Sequence, residues 1–493
     1  MIARFFRNDL NNVLGLLLIC AVVFGFGLGR AGLLDPDEPF YSLTAKEMVQ
    51  QNETATPLIF GQPQFEKPIL FYSILYFFFK LMGVTELSSR MGPFFGGILT
   101  VLVTYLWGRV LFRRKAPALV SALVLATGAQ FLVLSRIVLT DMYLCLFVTA
   151  ALCAFSIGLR FERWRSLAWH AMFLLCALGF LTKGPLGILL PFFGIVSYLL
   201  WSRQGALLAR IPWVTGLLIF AFVGFPWYIE MTCKHGTWFL KHFFIHENVR
   251  RFFVAEHKNS DKIFFYPLVI LGGFFPWSAV VPFAMWSAFK EGFRKRVRPY
   301  QRQSLFLALS FLLPLIFFTA AKSKLMSYIF PVFPVVALMT GGWLYRSYRR
   351  WRSGSAAIPA SIRAMACLIF GVLPVALVVG LYAYDVMARL GIDAIVTVLA
   401  LAIVPLNWLA LRCFLKKRFV SALTAVVVMV MAFAAIAFSA VLPAVDDAFS
   451  SRIEAGLYRR VAAGRPGLIM ASKLFVRGVC YYTGNEHVSV IAE

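Results

Sequence analysis

Long apolar runs separated by short basic clusters recur along most of this 493-residue chain. Of its residues, 60% are hydrophobic and 14% are charged, whereas soluble domains are about 45–50% apolar. A run of about 20 apolar residues is long enough to cross a bilayer as a helix. The pattern therefore predicts an all-α, multi-pass membrane protein. It excludes a soluble single domain, a coiled coil and a disordered chain.

Thirteen candidate transmembrane helices follow from these runs. They cover residues 13–33, 87–108, 117–134, 142–159, 167–182, 185–201, 212–229, 264–289, 304–320, 329–345, 364–384, 394–411 and 420–440. We therefore predict a transmembrane domain over residues 1–440, followed by a short tail over 441–493.

The formal net charge of +26 lies mostly in alternate connections between these helices. The basic connections include 109–115, 290–302 and 346–363, while the intervening connections are nearly balanced in charge. By the positive-inside rule, the basic side and the N-terminus are cytoplasmic, and the tail is extracytoplasmic. No small-residue cleavage site follows the first apolar run, which therefore resembles an uncleaved signal anchor. The basic balance thus indicates membrane topology and disfavours nucleic-acid binding.

Residues 68–83 are apolar but short for a transmembrane helix. This segment would reach about 24 Å as a helix, whereas the hydrocarbon core is about 30 Å thick. Counting it as a span would also place the basic cluster 113–115 outside. We therefore predict that the first outer loop, residues 34–86, contains helices lying along the membrane interface. A second outer loop is predicted over 230–263.

Candidate functional residues are sought at the outer ends of the helices, because topology accounts for the basic side and the remaining polar residues lie on the outer side. The sequence contains no Walker loop, dinucleotide-binding glycine fingerprint, HExxH motif or paired CxxC motif. Nucleotide-driven transport and zincin chemistry are therefore unsupported.

The first outer loop begins with three carboxylates in a short stretch. One interpretation is a helix start, in which Asp35 caps the helix, Pro36 takes the first position and Glu38 completes a capping box. That arrangement leaves Asp37 without a structural task. The functional interpretation is that Asp37 accepts a proton from an attacking hydroxyl, with Tyr41 one turn away on the same helical face.

Two lysines and one acid mark three further outer turns. Lys67 either extends along the surface to the membrane interface or holds an anionic phosphate, which an ammonium group binds as a point charge. The segment that ends at Asp141 is typical of a helix start capped by Thr140 or Asp141. Lys183 lies in a Thr-Lys-Gly-Pro sequence, which is typical of a helix end followed by a proline-initiated helix.

The second outer loop offers a weak metal-binding hypothesis. His246 and Arg250 share one face if the loop is helical, and Glu66 could join His246 in binding a divalent metal such as Zn²⁺ or Mg²⁺. A zinc site usually needs three or four ligands, so two residues alone carry little weight. Residues at the start of the tenth helix are either phosphate ligands or interfacial anchors; these are Lys322, Lys324 and Tyr328.

Six of these motifs, in this order, resemble one family: the bacterial polyprenyl-phosphate-sugar glycosyltransferases related to protein O-mannosyltransferases and to the lipid A aminoarabinose transferase. The motifs are Leu34-Asp-Pro-Asp-Glu-x-x-Tyr41, Phe65-Glu-Lys-Pro68, Arg136-x-x-x-Thr-Asp141, Thr182-Lys-Gly-Pro185, His246-Glu-Asn-x-x-Arg-Phe252 and Lys322-Ser-Lys-Leu-x-x-Tyr-Ile-x-Pro331. The resemblance covers roughly residues 10–345.

The resemblance implies the GT-C membrane fold, a sugar donor carried on a polyprenyl phosphate such as undecaprenyl phosphate, and a periplasmic active site in the bacterial inner membrane. It implies that Asp37 is the catalytic carboxylate and that Asp141 is a further carboxylate of the cavity. It also implies that Lys67 and Lys183 bind the donor phosphate. The remaining expected site residues are Glu38 among the catalytic acids, Tyr41, Arg250, Lys322, Lys324 and Tyr328 near the phosphate, and Glu66 with His246 as a metal pair.

The sequence departs from the lipid A branch of the family where substrates would be chosen. That branch usually has Arg before the Tyr of its first motif and Pro after its Lys-Pro pair, where this chain has Phe40 and Ile69. The tail after residue 440 is shorter than in that branch. Its segment 476–484 resembles part of a small mixed strand–helix domain on the periplasmic side.

The expected reaction is transfer of a sugar, with inversion, to a hydroxyl of a lipid or envelope glycan. One alternative is a protein O-glycosyltransferase that uses the same kind of donor. A transporter or flippase for a lipid-linked substrate would also explain many spans, but it should carry midplane charges and two similar halves. A scaffold without activity would tolerate neutralisation of the outer acids.

Overall fold

The computed structural model describes residues 9–250, 253, 262–294, 302–383, 392–462, 469–484 and 488–491. The helices, numbered in chain order, are α1 Leu10–Gly25, α2 Asp37–Gln50, α3 Ile69–Met82, α4 Glu86–Phe112, α5 Lys115–Ala126, α6 Ala129–Leu134, α7 Asp141–Arg160, α8 Arg165–Lys183, α9 Leu186–Trp201, α10 Trp213–Gly224, α11 Pro226–Leu240, α12 Phe265–Gly273, α13 Val281–Gly292, α14 Arg302–Ala320, α15 Phe333–Arg352, α16 Ala360–Ala366, α17 Leu373–Ala383, α18 Asp393–Leu415, α19 Phe419–Ile436, α20 Leu442–Ala444, α21 Arg452–Ala462 and α22 Val476–Thr483. The strands are β1 Leu58–Ile59, β2 Gln62–Pro63, β3 Ile469–Ser472 and β4 Val488–Ile491.

The described residues are mostly helical, and several helices are long and apolar enough to cross a membrane. Seven helices meet this criterion. The number is eight if α10 and the helix that follows it, which are bent by 46° relative to each other, form one span. Four shorter apolar helices are α1, α3, α5 and α9. The prediction of a multi-pass helical membrane protein is confirmed, while the count of thirteen spans stays a prediction.

The continuous helix predicted over 264–289 is wrong. The structure has α12 and α13 there, separated by a break that contains Pro276. Proline lacks the N–H group that a helix interior requires, and Gly273 at the end of α12 has low helix propensity. The run predicted over 117–134 is likewise divided into α5 and α6, with Gly128 preceding α6.

Helices α2 and α3 occupy the predicted first outer loop and are joined through the β1–β2 hairpin. Helix α3 has 14 residues, which corresponds to about 21 Å and is short for a span. It is amphipathic, with Phe71 and Tyr72 buried and Phe77 exposed. The ring of Tyr41 on α2 packs against Phe71 and Tyr72, with centroids 5.4 and 5.9 Å apart. Helix α2 is therefore held in place by aromatic packing along its inner face.

A buried ion pair fixes the start of α2 to the long helix α4. Arg90 donates two hydrogen bonds to the carboxylate of Glu38, at 3.0 and 2.6 Å, and both side chains are almost fully buried. Its remaining N–H groups donate to the carbonyl oxygens of Leu28, Ala31 and Gly32. Glu38 also accepts the N–H groups of Leu34 and Val138. Protein groups therefore supply hydrogen bonds to both the Arg90 guanidinium and the Glu38 carboxylate.

Arg136 satisfies the carbonyl groups at the end of α1 in the same way. Its guanidinium donates to the backbone oxygens of Val23, Phe24 and Phe26 and lies 3.8 Å from the centroid of the Phe438 ring. The last carbonyls of a helix have no partner within the helix. Arg136 therefore joins the end of α1 to the segment that leads into α7.

The C-terminal residues form a small β3–α22–β4 unit whose two strands pair in parallel. Helix α22 packs on the first loop through polar contacts at its end. Lys46 donates to the carbonyl oxygen of Tyr481 at 2.6 Å, and the N–H of Leu33 donates to the hydroxyl of Tyr482 at 2.7 Å. The tail is therefore docked onto the loop that carries α2.

We expect Glu38→Gln to destabilise the fold strongly, because the charge of Arg90 would remain buried without its carboxylate. Losing one partner of a buried pair costs about 3–5 kcal/mol. The measurement is the free energy of unfolding in mixed micelles. The matched control is Glu162→Gln, since Glu162 is 81% exposed in its bridge to Arg165 and should change stability little. Equal effects of the two substitutions would contradict the assigned role of Glu38.

Candidate active site

A cavity of about 1830 Å³ lies beside the starts of α2 and α7. Its lining includes many of the residues predicted from the sequence motifs: Asp37, Tyr41, Glu66, Lys67, Asp141, Lys183 and Tyr328. Most of the remaining lining is apolar and includes Phe243, Phe244, Phe264, Phe265, Leu268, Val269, Phe317 and Phe318. Charged groups from distant parts of the chain therefore meet in one cavity with largely apolar sides, as a substrate with a lipid tail and a charged head would require.

Asp37 is the first residue of α2, and its side chain is open to the cavity. The predicted capping box is not formed, because the N-cap residue is Pro36 and makes no side-chain cap. Asp35 instead binds the backbone N–H and the hydroxyl of Ser451. Glu38 points away into its ion pair. The three neighbouring acids thus have different positions. Asp35 binds the C-terminal tail, Asp37 lines the cavity, and Glu38 is buried in an ion pair.

The charges around Asp37 act on its proton affinity in opposite directions. Partial burial raises the pKa of Asp37 above its usual range, and the negative charges of Asp141 and Glu38 raise it further. The positive charges of Arg477 and Lys67 lower it. A carboxylate with a raised pKa is a stronger base once it is ionised.

Lys183 and Asp141 form an ion pair in the cavity, with Nζ and Oδ1 2.6 Å apart and side chains 10% and 5% exposed. Asp141 begins α7. Lys183 ends α8, and Gly184 then turns the chain with a φ of 66°, which favours glycine. The Lys183 ammonium also lies 5.0 Å from the centroid of the Tyr328 ring. The predicted helix end at Lys183 is therefore present, and it also presents this cation to the cavity.

Lys67 and Glu66 lie between β2 and α3 and both line the cavity. The Lys67 ammonium donates to the carbonyl oxygen of Glu66 at 3.0 Å, and the N–H of Glu66 donates to the side chain of Gln64. The segment before Pro68 is thus held by local hydrogen bonds. Lys67 is half-buried, which leaves part of its side chain accessible from the cavity.

Several predicted residues do not line this cavity. Glu38 is buried in its ion pair with Arg90. His246 and Arg250 lie on a π-helix, Lys241–Arg250, where the His246 ring stacks on His242. Lys322 is exposed and Lys324 is buried, and both lie just outside the lining.

The metal hypothesis receives no structural support from the described ranges. Within them, no group of three or more His, Cys, Asp or Glu side chains is arranged to hold a metal ion. Glu66 lines the cavity and His246 does not. The Zn²⁺ or Mg²⁺ site therefore stays a prediction.

Three cations of the cavity lining, Lys262, Lys473 and Arg477, were not among the sequence candidates. Lys473 and Arg477 come from the C-terminal unit, on the turn after β3 and on the first turn of α22. The sequence marked 476–484 as a possible domain fragment, but no local signal connects this polar segment with the first loop. Arg90 was missed as well, since it lies inside an apolar helix without any flanking motif.

Comparison with known families identifies the first half of the chain. Residues 13–244 match the model of the dolichyl-phosphate-mannose-protein mannosyltransferase family. This part of the chain is therefore similar to that family. The matched residues contain the first four of the six motifs, so the resemblance inferred from the motifs is confirmed.

Curated proteins that are similar to this chain include undecaprenyl phosphate-alpha-4-amino-4-deoxy-L-arabinose arabinosyl transferases. The protein from Pectobacterium atrosepticum is 28% identical over 334 residues, which cover 67% of this chain and 58% of the relative. The protein from Pseudomonas aeruginosa strain LESB58 is 30% identical over 336 residues, covering 68% and 60%. The matched part of the chain thus spans less than two thirds of these relatives.

Solved structures with the same fold include ArnT from Cupriavidus metallidurans bound to undecaprenyl phosphate. Its TM-score is 0.78 at 22% sequence identity, covering 98% of this chain and 86% of that one. An oligosaccharyltransferase from Archaeoglobus fulgidus gives a TM-score of 0.50 at 15% identity, covering 71% and 52%. These matches confirm the membrane glycosyltransferase fold that the resemblance implied.

We expect the pKa of Asp37 to fall in the variant Asp141→Asn, because removing a nearby negative charge stabilises the ionised carboxylate. Infrared difference spectra against Asp37→Asn isolate the carboxyl signal of Asp37 during a pH titration. The control is Glu230→Gln, since Glu230 pairs with Lys234 on a half-exposed surface and does not line the cavity. A pKa of Asp37 that is unchanged or raised in Asp141→Asn would contradict this electrostatic picture.

Proposed function

We propose that this chain transfers a sugar from a polyprenyl-phosphate donor to an acceptor hydroxyl, with inversion of the anomeric centre. The observation that carries the proposal is the meeting of Asp37, Lys67 and Lys183 in one cavity with apolar sides. A carboxylate can accept the hydroxyl proton, and lysines can bind a phosphate. The apolar sides suit a prenyl chain. The names of the curated relatives support the donor class.

In the proposed mechanism, Asp37 takes the proton of the acceptor hydroxyl as the oxygen attacks the anomeric carbon. The bond between that carbon and the phosphate oxygen breaks, and its electron pair stays on the phosphate. Lys67 and Lys183 stabilise the negative charge that develops there, which is a large effect in a cavity of low dielectric constant. Attack from the face opposite the phosphate inverts the centre.

Asp141 has a positioning role in this mechanism. Its carboxylate holds the Lys183 ammonium at 2.6 Å and keeps that cation in the cavity before the donor binds. Tyr41 and Tyr328 line the same cavity and are assigned to the phosphate end of the donor. Glu38 is assigned a structural role, and the mechanism uses no contact from Arg250, Lys322 or Lys324.

The proposed mechanism routes no step through a metal, so activity should not require Glu66 and His246 as a ligand pair. We further propose that residues 1–440 form the transferase domain and that residues 441–493 lie on the periplasmic side. The N-terminus is then cytoplasmic and the protein lies in the bacterial inner membrane, as the charge distribution over the connections predicts.

A protein acceptor is the second candidate. The family model that matches residues 13–244 is described by a protein mannosyltransferase activity, whereas the curated relatives are named for an aminoarabinose donor. Both candidates use the same donor end of the cavity. They differ only in the acceptor, and assays with a glycolipid and with a hydroxyl-bearing peptide distinguish them.

We expect Asp37→Asn to keep binding of bare polyprenyl phosphate and to lose turnover by about 10²–10⁴-fold, which is the usual contribution of a general base. Lys67→Ala should lose both the binding of bare polyprenyl phosphate and the turnover, because it removes a phosphate ligand. The measurements are turnover of polyprenyl-phosphate sugars and binding of the bare lipid phosphate by purified protein. The control is Lys80→Ala, an exposed lysine on α3 that does not line the cavity.

Normal turnover by Asp37→Asn would overturn the mechanism. Movement of lipid across vesicles without turnover of any donor would instead support a transporter.

A further inference from the structure

The C-terminal unit contributes two positive charges to the cavity that contains Asp37. Lys473 and Arg477 both line it, although they lie at the opposite end of the sequence. The guanidinium of Arg477 lies 4.7 Å from the centroid of the Phe40 ring, which is itself buried. Phe40 is three residues beyond Asp37 on α2, so the aromatic ring that supports Arg477 and the cavity carboxylate belong to one helical turn.

Arg477 is available for a ligand, whereas Lys183 is already paired. Lys183 has Asp141 at 2.6 Å. No carboxylate in the described ranges lies within ion-pairing distance of Arg477. Stacking on an aromatic ring orients a guanidinium without using its N–H donors. Arg477 therefore presents hydrogen-bond donors beside Asp37 that no protein carboxylate takes.

Asp35 lies against the C-terminal tail beside Arg477. Its carboxylate accepts the N–H and the hydroxyl of Ser451, at 2.9 and 2.6 Å. A methyl group added at Gly478 would lie 2.4 Å from an oxygen of Asp35, so the backbone of α22 reaches this carboxylate closely. Asp35 is two residues before Asp37, and Gly478 follows Arg477. Asp35 and Gly478 thus bring the chain neighbours of Asp37 and Arg477 close together.

We propose that Arg477 and Lys473 form a second anion-binding subsite of the cavity, which holds an anionic group, such as a phosphate, on the acceptor. This proposal rests on the transferase function proposed above. It makes the C-terminal unit part of the active site, with Asp35 as a positioning residue.

The subsite belongs to the acceptor because of its place relative to the base. In a back-side displacement, the attacking hydroxyl and the leaving phosphate lie on opposite sides of the anomeric carbon. Asp37 must lie beside the hydroxyl. Arg477 lies on the ring of Phe40, in the same helical turn as Asp37, whereas Lys183 lies on another helix and is paired with Asp141. We therefore assign Arg477 to the acceptor side, and Lys67 and Lys183 to the donor phosphate.

Arg477 also affects the pKa of Asp37. Four charged groups shift this pKa, namely Arg477, Asp141, Lys67 and Glu38. Arg477 lowers the pKa of Asp37, which keeps this carboxylate ionised at lower pH. An anionic acceptor group bound to Arg477 would weaken this effect and make Asp37 more basic when the acceptor is present.

The test compares binding of a phosphorylated glycolipid and of the same glycolipid after phosphatase treatment, by the full chain in nanodiscs of zwitterionic lipid. Arg477→Gln and Lys473→Gln should each weaken binding of the phosphorylated form by about tenfold or more, as expected for a hydrogen bond to a charged group. Binding of the dephosphorylated form and of bare polyprenyl phosphate should stay unchanged. Arg477→Lys should restore part of the loss.

The matched control is Arg460→Gln, which removes one positive charge from an exposed position on α21 of the same tail. It should leave all three affinities unchanged. The pH profile of turnover provides a separate measurement. Its acid limb should move to higher pH in Arg477→Gln, because the carboxylate of Asp37 loses the cation that favours its ionised form.

Three results would overturn the subsite. Equal changes for the two glycolipids would leave Arg477 with a structural role only. Weaker binding of bare polyprenyl phosphate would assign Arg477 to the donor. Unchanged affinities in both variants would remove the subsite altogether. Failure of the proposed function is distinguishable, because it would appear as normal turnover by Asp37→Asn, whatever the variants of Arg477 do.

Discussion

The buried guanidinium of Arg90 is the interaction on which the rest of the site depends. All five of its N–H donors are used, two by Glu38 and three by backbone carbonyls of the stretch that links α1 to α2. A buried charge is tolerated only with a partner and with its hydrogen bonds made. This ion pair holds Glu38 against α4, whereas the side chain of the adjacent Asp37 is exposed and lines the cavity.

Helix ends supply most of the charged groups of this site. Asp37 and Asp141 begin helices, Lys183 ends one, and Arg477 lies in the first turn of another. Helix ends are where a chain of this composition can place polar side chains without burying them in apolar helical surface. The cavity then combines a few charges with largely apolar sides. That combination matches a substrate with a phosphate and a long lipid chain better than it matches a freely soluble sugar.

The C-terminal unit shows how a departure from a family pattern can be compensated in space. The resemblance implies that the lipid A branch usually has Arg where this chain has Phe40. Here the Phe40 ring supports the guanidinium of Arg477, so a cation stands next to this position although it comes from the other end of the sequence. A hydrogen bond from Ser451 to Asp35 also joins the tail to the first loop. The first loop and the tail thus depend on each other for the arrangement of the site.

The sequence alone determined that the chain is a helical membrane protein and which polar motifs matter, because a charge in an apolar chain is costly and therefore conspicuous. It also indicated that residues 68–83 are too short to span. It singled out Asp37 but also kept Glu38 among the catalytic acids, because the pairing of Glu38 with Arg90 on another helix has no local signal in the sequence. It could not find Arg477, because an arginine in a polar tail has no local pattern that marks it. Only the docking of α22 onto the first loop, through contacts between residues more than 400 positions apart, brought that cation to the cavity.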